Sequence, residues 1–431
     1  MTHAGDTSPR LLPAQGPLII EIARPVLERA VQRLLRGAPE VDLTAGLLHT
    51  DAGTRLLIGT DAATQTRADA RKVILRHEDR PTATVDTAPE AGVELLVDAQ
   101  GALCSTHPGV MQIRVIGAGL HQTNVAEPTS PVDSSRWSRI AGALGADAHA
   151  RLRETRFAVV GCGRTGSLVA STLARIGVSH LTLIDPDRVE LHNLDAMDGT
   201  SYGDIGRPKV QAVAQHLRLF ACRVPEPISQ AVTTGTAIAA LREADFICCC
   251  VDDATARLAT CALATLFLKP LLDIGVGIHA HNGRVEKAAD VRLVLPGEHR
   301  CLACYGGIAQ QEQMLPLIGG KTAAIEWHEQ RAGSLRSLNQ VAAHLGIGMI
   351  EDLATERLQQ SQWLRLRYQD SVPTIEPLTA DPDPDCPVCA LTATGDAVLP
   401  QLSTVMRVAI RRTARMSIMS SNDRTRNPRR T

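Results

Sequence analysis

From residue 156 onward, short apolar runs alternate with helical stretches, and no other feature narrows the possible folds of this chain so far. Residues 156–160, 180–184, 246–251 and 271–274 read as strands, and 166–176, 209–220 and 255–268 read as helices between them. Strands that are apolar throughout, each followed by a helix, are buried on both faces. The arrangement that achieves this is a parallel sheet with helices on either side. The expected class is α/β, a Rossmann-like doubly wound and mostly parallel sheet, accompanied by a smaller α+β N-terminal domain.

The rest of the chain divides around that pattern. Its 431 residues suffice for two or three compact domains. Residues 1–16 read as disordered. Residues 17–118 form an N-terminal α+β domain, with helical spacing over 22–35 and strand-like runs at 53–58, 93–97 and 110–115. A Pro/Ser/Thr-rich linker occupies 119–135, the alternating domain covers 136–400, and a basic tail rich in arginine (Arg407, Arg411, Arg412 and Arg415 among them) fills 401–431. Apolar residues make up 44% of the chain and aromatics 2%, so the core must be aliphatic and little is left on which nucleic-acid bases could stack. A net charge of −1 gives no general attraction to nucleic acid or to an anionic membrane. With no long apolar stretch and no leader pattern, a cytoplasmic protein without a membrane anchor is expected.

Gly161-Cys162-Gly163-Arg164-Thr165-Gly166 fits G-x-G-x-x-G between the first strand and first helix of the alternating region. Such glycines allow a tight turn and close approach of backbone to phosphate, while the helix N-terminus presents N–H groups to the anion. Asp185 ends the next strand, where a carboxylate accepts from ribose hydroxyls. That pair alone equally suits a nicotinamide-dependent dehydrogenase or an ordinary glycine turn. Further downstream, Lys209 follows a Gly-x-Pro turn and Asp252 closes a strand. A carboxylate attacking the α-phosphorus of ATP needs such groups, because negative charge grows on the α-phosphate and on the departing pyrophosphate. A lysine and a Mg²⁺ held by a carboxylate answer that charge.

Taken in order, R-x-x-R (Arg136 to Arg139), G-x-G-x-x-G-S, D-x-D-x-V-x-x-x-N-L (Asp185, Asp187, Asn193), G-x-P-K ending at Lys209, V-D-D-x-x-x-R (Asp252 to Arg257) and two C-x-x-C pairs resemble the ThiF/MoeB/E1 superfamily of adenylyltransferases over residues 136–389. The resemblance implies the adenylation fold of that family and ATP-dependent activation of the C-terminal glycine of a ubiquitin-like or sulfur-carrier protein. It implies that Gly161, Gly163 and Gly166 cradle the nucleotide, that Asp185 holds the ribose, that Asp187 belongs to the nucleotide site, that Asn193 and Lys209 meet the triphosphate, and that Asp252 binds Mg²⁺. Arg139 is similar to an arginine finger that enters a partner subunit's site, implying a homodimer. An E2-like partner is a further expectation of the ubiquitin-like reading. Adenylation of a short peptide, as in microcin-adenylating relatives, and a non-catalytic partner-binding role stand as alternatives.

Cys301-x-x-Cys304 and Cys386-x-x-Cys389 have the spacing of a closed four-thiolate zinc site with a structural role. Cys248, Cys249, Cys250 and Cys261 lie in apolar runs and read as small core residues. The chain departs from the family pattern at two points. Ala196 stands where a triphosphate-contacting arginine is expected. Either Arg164, Arg188 or Arg207 serves instead, or the chain is a weakened variant or a pseudoenzyme. A weakened variant fits best with the otherwise complete site, and on that reading Ala196→Arg would raise activity by about tenfold or more. The second departure is that residues 305–385 hold no cysteine, so the crossover segment cannot carry a thioester, leaving Cys104 and Cys222 as other candidate nucleophiles. In the N-terminal domain, Ser105-Thr106-His107-Pro108 bears a slight likeness to the H-x-H-P of JAB-type metalloproteases. A single histidine there reads as a loop residue, and partner recognition is the role expected of this domain.

Overall fold

A computed structural model of the chain describes residues 18–38, 40–51, 53–61, 71–77, 92–97, 103–105, 110–117, 134–281, 284–298, 300–305, 334–369, 372–379, 381, 383, 385–402 and 404. His107, most of the 119–135 linker, most of the crossover segment, the basic tail and the Cys104 side chain lie outside them.

The N-terminal part is a seven-stranded sheet in the order β6-β5-β4-β2-β3-β1-β7. Its strands are β1 (Leu18–Ala23), β2 (Val41–Thr50), β3 (Gly53–Asp61), β4 (Arg71–His77), β5 (Gly92–Val97), β6 (Leu103–Ser105) and β7 (Val110–Ile116). Between β1 and β2 runs α1 (Arg24–Leu35), burying Val26, Ala30 and Leu34 at helical spacing. The sequence pattern placed a helix from residue 22. Pro25, within the first turn, starts it instead at Arg24, and the apolar residues before it extend as a fully buried strand.

After α2 (Ser134–Leu144) and α3 (Ala146–Glu154) comes the alternating region. In chain order it comprises β8 (Arg156–Val160), α4 (Arg164–Arg175), β9 (His180–Ile184), α5 (Lys209–Leu217), β10 (Glu226–Ile228), α6 (Gly235–Glu243), β11 (Phe246–Cys249), α7 (Ala254–Leu266), β12 (Leu271–His281), β13 (Arg284–Val294), α8 (Arg336–Ala354), β14 (Gln362–Gln369) and β15 (Val372–Leu378). The sheet order is β10-β9-β8-β11-β12-β13-β14-β15. Pairing is parallel from β10 to β12 and antiparallel from β12 to β15. The α/β class and parallel half are as expected. The antiparallel half is an addition that the sequence pattern hid, because β13 and β14 are laced with charges that pair across the strands.

One face of this sheet is covered by α3, α4, α5 and α8. The other face carries α6 and α7, and its core is continuous with that of the N-terminal sheet and with Cys301, Cys386 and Cys389. The N-terminal sheet rests closely on the segment that follows Cys389. A Cβ on Gly46 of β2 would stand 2.1 Å from the Ala393 carbonyl oxygen, and one on Gly59 of β3 would stand 2.6 Å from the Ala393 and Thr392 side chains. Charges are also sealed between the sheets. Glu21 of β1 pairs with Arg55 of β3 at 3.0 Å and with Lys269 at 3.6 Å, and Arg114 of β7 reaches Asp245 at 3.0 Å. Glu21, Arg55 and Lys269 are all buried, so desolvation makes each depend on its partners.

Along β15, Pro373 lies opposite Tyr368 and Pro377 opposite Leu364 in the register with β14. No helix among the described residues is long and apolar enough to cross a membrane.

Candidate active site

The glycine turn joins β8 to α4. Gly161 has φ +86°, and a Cβ there would come within 2.9 Å of the Cys250 backbone; one on Gly166 would stand 1.7 Å from the Gly161 carbonyl oxygen. Only glycine lets the turn close against β11 and lets α4 start so near it. A Cβ on Gly163, by contrast, would meet no atom within 4 Å, so the turn is open on that side. Cys162 is fully buried. Burial, and then the Asp185 carboxylate, push its thiol well above the usual range, which leaves it a packing residue rather than a nucleophile.

Asp185 closes β9 beside the turn. Its two oxygens accept from the Cys162 N–H at 2.6 Å and the Asp187 N–H at 2.8 Å. Burial raises its pKa, opposed by those hydrogen bonds and by Lys209. Each oxygen keeps a second lone pair with which to receive a hydroxyl. Lys209, at the start of α5, donates to Asp187 at 2.8 Å. Burial alone would lower the Lys209 ammonium, but the Asp187 hydrogen bond and the charges of Asp185, Asp187 and Asp252 outweigh it and hold the group cationic. Asn193 is buried in a single turn of 3₁₀ helix, Leu191–Asn193, where its side-chain oxygen accepts from the Glu190 N–H at 2.9 Å.

Asp252 and Asp253 follow β11, and both are exposed. Asp253 caps α7, accepting from the Ala256 N–H at 2.7 Å, which leaves the Asp252 carboxylate outside the cap. A single carboxylate working with substrate phosphates is a usual way of holding Mg²⁺, so Asp252 fits that ion.

The structure thus brings Gly161, Gly163, Gly166, Asp185, Asp187, Lys209 and Asp252 to one mouth at the C-terminal ends of the parallel strands, where α/β sheets take ligands. It does not bring Arg139 there. Trp137, two residues earlier on α2, donates to the Arg175 carbonyl and packs on Gly177, at the far end of α4 from the turn. Twelve helical residues separate the two ends, about 18 Å at the helical rise. Arg139 is exposed, whereas Arg136 donates to the Phe220 carbonyl and lies over the Trp137 ring. Cys222 is at that same remote end, its thiol donating to the Gly177 carbonyl at 3.4 Å.

Arg188 donates to the Gly206 carbonyl and Arg207 pairs with Asp204, so both serve the turn before α5. Arg164 remains at the glycine turn, bound to Asp195 at 3.0 Å and to the His192 carbonyl at 3.0 Å. Ala196 is 1% exposed, and its carbonyl accepts from Arg336 of α8 at 2.7 Å. Arg336 also pairs with Asp198 at 3.0 Å, and Asn339 accepts from the Thr165 hydroxyl at 2.8 Å. The sequence pattern gave no site role to Arg336 or Asn339. The missed signal was a polar pair three residues apart on the first turn of an otherwise apolar helix.

The sulfurs of Cys301, Cys304, Cys386 and Cys389 all lie within 4.8 Å of one another, with separations of 3.8, 3.6 and 3.7 Å for the 301–304, 301–386 and 304–389 pairs. A tetrahedron with zinc–sulfur bonds of about 2.3 Å has edges of about 3.8 Å, so this donor set fits zinc. Cys248, Cys249 and Cys261 are fully buried, as core thiols should be.

A family model described as ThiF family matches residues 137–363, more than half of the chain, and the chain belongs to the ThiF family. Among curated proteins it is similar to ubiquitin-like modifier-activating enzyme 5 of Culex quinquefasciatus, 30% identical over 190 residues that cover 40% of this chain and 46% of that protein. It is likewise similar to the enzyme of the same name from Drosophila pseudoobscura pseudoobscura, 26% identical over 314 residues, 62% of this chain and 77% of that protein. The chain spans about half the length of several such relatives. Of solved structures, E. coli MccB with ATP aligns with 60% of this chain and 76% of its own at 20% identity and a TM-score of 0.46.

Proposed function

We propose that this chain is an E1-like adenylyltransferase that joins the C-terminal carboxylate of a ubiquitin-like or sulfur-carrier protein to AMP. A carboxylate oxygen of the partner attacks the α-phosphorus of ATP, the bond from that phosphorus to the bridging oxygen breaks, and pyrophosphate leaves. The observation that carries the reading is the convergence of Asp185, Lys209 and Asp252 on the mouth of the glycine turn. Backbone N–H groups of Gly163 and of the first residues of α4 receive the phosphates, Asp185 receives the ribose hydroxyls, and Asn193 and Lys209 meet the triphosphate. When bound at Asp252, Mg²⁺ supplies positive charge to the departing pyrophosphate.

Because α2, which bears Arg139, is anchored through Trp137 at the end of α4 remote from this chain's own glycine turn, the arginine-finger role of Arg139 belongs to a homodimer, in which it would enter the opposite site. Cys162 is sealed and Cys222 is remote, so neither is offered as a thioester nucleophile; the chemistry proposed stops at the acyl-adenylate, from which the thiol of an E2-like partner would take the acyl group as AMP leaves. A cytoplasmic setting suits a zinc-thiolate site that requires reduced cysteines.

ATP–pyrophosphate exchange in the presence of candidate small proteins ending in glycine tests the reading. Exchange should depend on such a partner and fall by about a hundredfold or more in Asp252→Ala, with the fold retained. Full exchange by Asp252→Ala removes Asp252 from its role, and binding of NAD in place of ATP returns the chain to the dehydrogenase class.

A further inference from the structure

We propose that Arg257 is a positioning residue for Asp252, holding the strand end that bears this carboxylate through a relay of alternating charges that is buried at Asp273 and Arg292; the inference rests on the adenylation reading above. Arg257 lies on the first turn of α7. Its Nη2 donates to the carbonyl of Val251, the residue immediately before Asp252, and its Nε pairs with Asp273 Oδ1 at 3.0 Å. Asp273 is 0% exposed, and its other oxygen accepts from Arg292 Nη1 at 2.9 Å. Arg292 Nη2 then meets Asp290 at 2.6 Å, and Asp290 is clasped by Arg365 at 2.7 and 3.0 Å and by the Trp363 indole N–H at 2.9 Å.

The registers explain why these groups line up. Cys249 of β11 lies opposite Asp273 of β12, Asp273 opposite Arg292 of β13, and Asp290 opposite Arg365 of β14. The relay therefore crosses one face of the sheet and ends on the backbone at the active-site mouth. A carboxylate with no exposure persists as an ion only between cations. Arg257 is thus fixed from behind by Asp273 and can hold the Val251 carbonyl in front. Asp252 is exposed and its neighbour Asp253 is spent on the helix cap, so the angle at which Asp252 presents its oxygens is set by the backbone on either side. Arg257 secures one side and the Asp253 cap the other.

Manganese binding tests this on the full chain without any protein partner. Mn²⁺ is titrated by electron paramagnetic resonance in the presence of an ATP analogue with a methylene between the α and β phosphorus atoms. Nucleotide affinity is measured separately in EDTA. Arg257→Met should weaken Mn²⁺ by about 10- to 100-fold while changing nucleotide affinity in EDTA by less than about twofold. Arg257→Lys keeps a cation beside Asp273, but one ammonium cannot also span to the Val251 carbonyl. It protects the fold and should give an intermediate loss. Unchanged Mn²⁺ affinity in folded Arg257→Lys overturns the proposal, as does an equal loss of nucleotide affinity in EDTA. An Asp252→Asn arm separates the two levels. If it lowers Mn²⁺ affinity while the Arg257 variants do not, the positioning role alone falls. If it leaves Mn²⁺ affinity as in the unaltered chain, the adenylation reading fails at Asp252.

Discussion

At the scale of single residues, neighbours compete for roles. Asp252 and Asp253 are adjacent, yet one caps a helix and the other faces the mouth, a division that depends on where α7 begins. The family resemblance assigned the metal to Asp252 in V-D-D-x-x-x-R, and the structure adds what Arg257, the last residue of that motif, holds. Ala196 is the opposite case. Family spacing put a missing arginine there and expected its restoration to help, but the methyl group is covered and the turn already receives Arg336. Ala196→Arg should therefore cost about 1–3 kcal/mol of stability, read as a lower denaturation midpoint. A stable, more active variant would restore the reading from family spacing. Spacing locates a position along the chain; it does not say which way the side chain points.

At the scale of elements, the parallel strands and their helices were legible because their apolar runs are unbroken. The limits of β8 and β9 agree with the pattern to the residue. The antiparallel strands β13 and β14 were not legible, since Asp290, Arg292 and Arg365 interrupt the apolar alternation and are neutralised by one another and by Asp273. The cysteine pairs were legible as a metal site, but their neighbours were not. The residues just past Cys389 form the floor on which β2 and β3 rest. The protein should retain about one equivalent of zinc, measured by elemental analysis. Cys386→Ser should lower the unfolding midpoint on the order of 5–10 °C, and it should also speed proteolysis within residues 18–116, the part that rests on this knuckle. Zinc loss with the N-terminal sheet still protected would dissociate the two. Gly46→Ala probes the same seam without touching the thiols. Its added methyl group collides with the Ala393 carbonyl and should cost about 1–3 kcal/mol.

At the scale of the whole molecule, the two sheets are joined by buried charge as well as by apolar packing. Lys269 is pushed down to about 8, chiefly by burial and then by Arg55, with Glu21 and Asp245 opposing and Arg114 adding to the shift. The folded chain thus gives up this proton at lower pH than the unfolded chain does. Where the unfolded chain binds more protons, stability rises with pH. Between about pH 7.5 and 9.5 this lysine should contribute a gain of roughly 2 kcal/mol. Lys269→Met should flatten that rise, seen by comparing urea midpoints of the two proteins across the range; identical slopes would place the titration elsewhere. The far border of the larger sheet has a different consequence. In the hairpin of β14 and β15, the positions of Pro373 and Pro377 direct their nitrogens away from β14, and neither nitrogen bears a hydrogen. A foreign strand arriving along this border would find alternate rungs of its ladder missing. At this border the larger sheet therefore resists extension by a further strand.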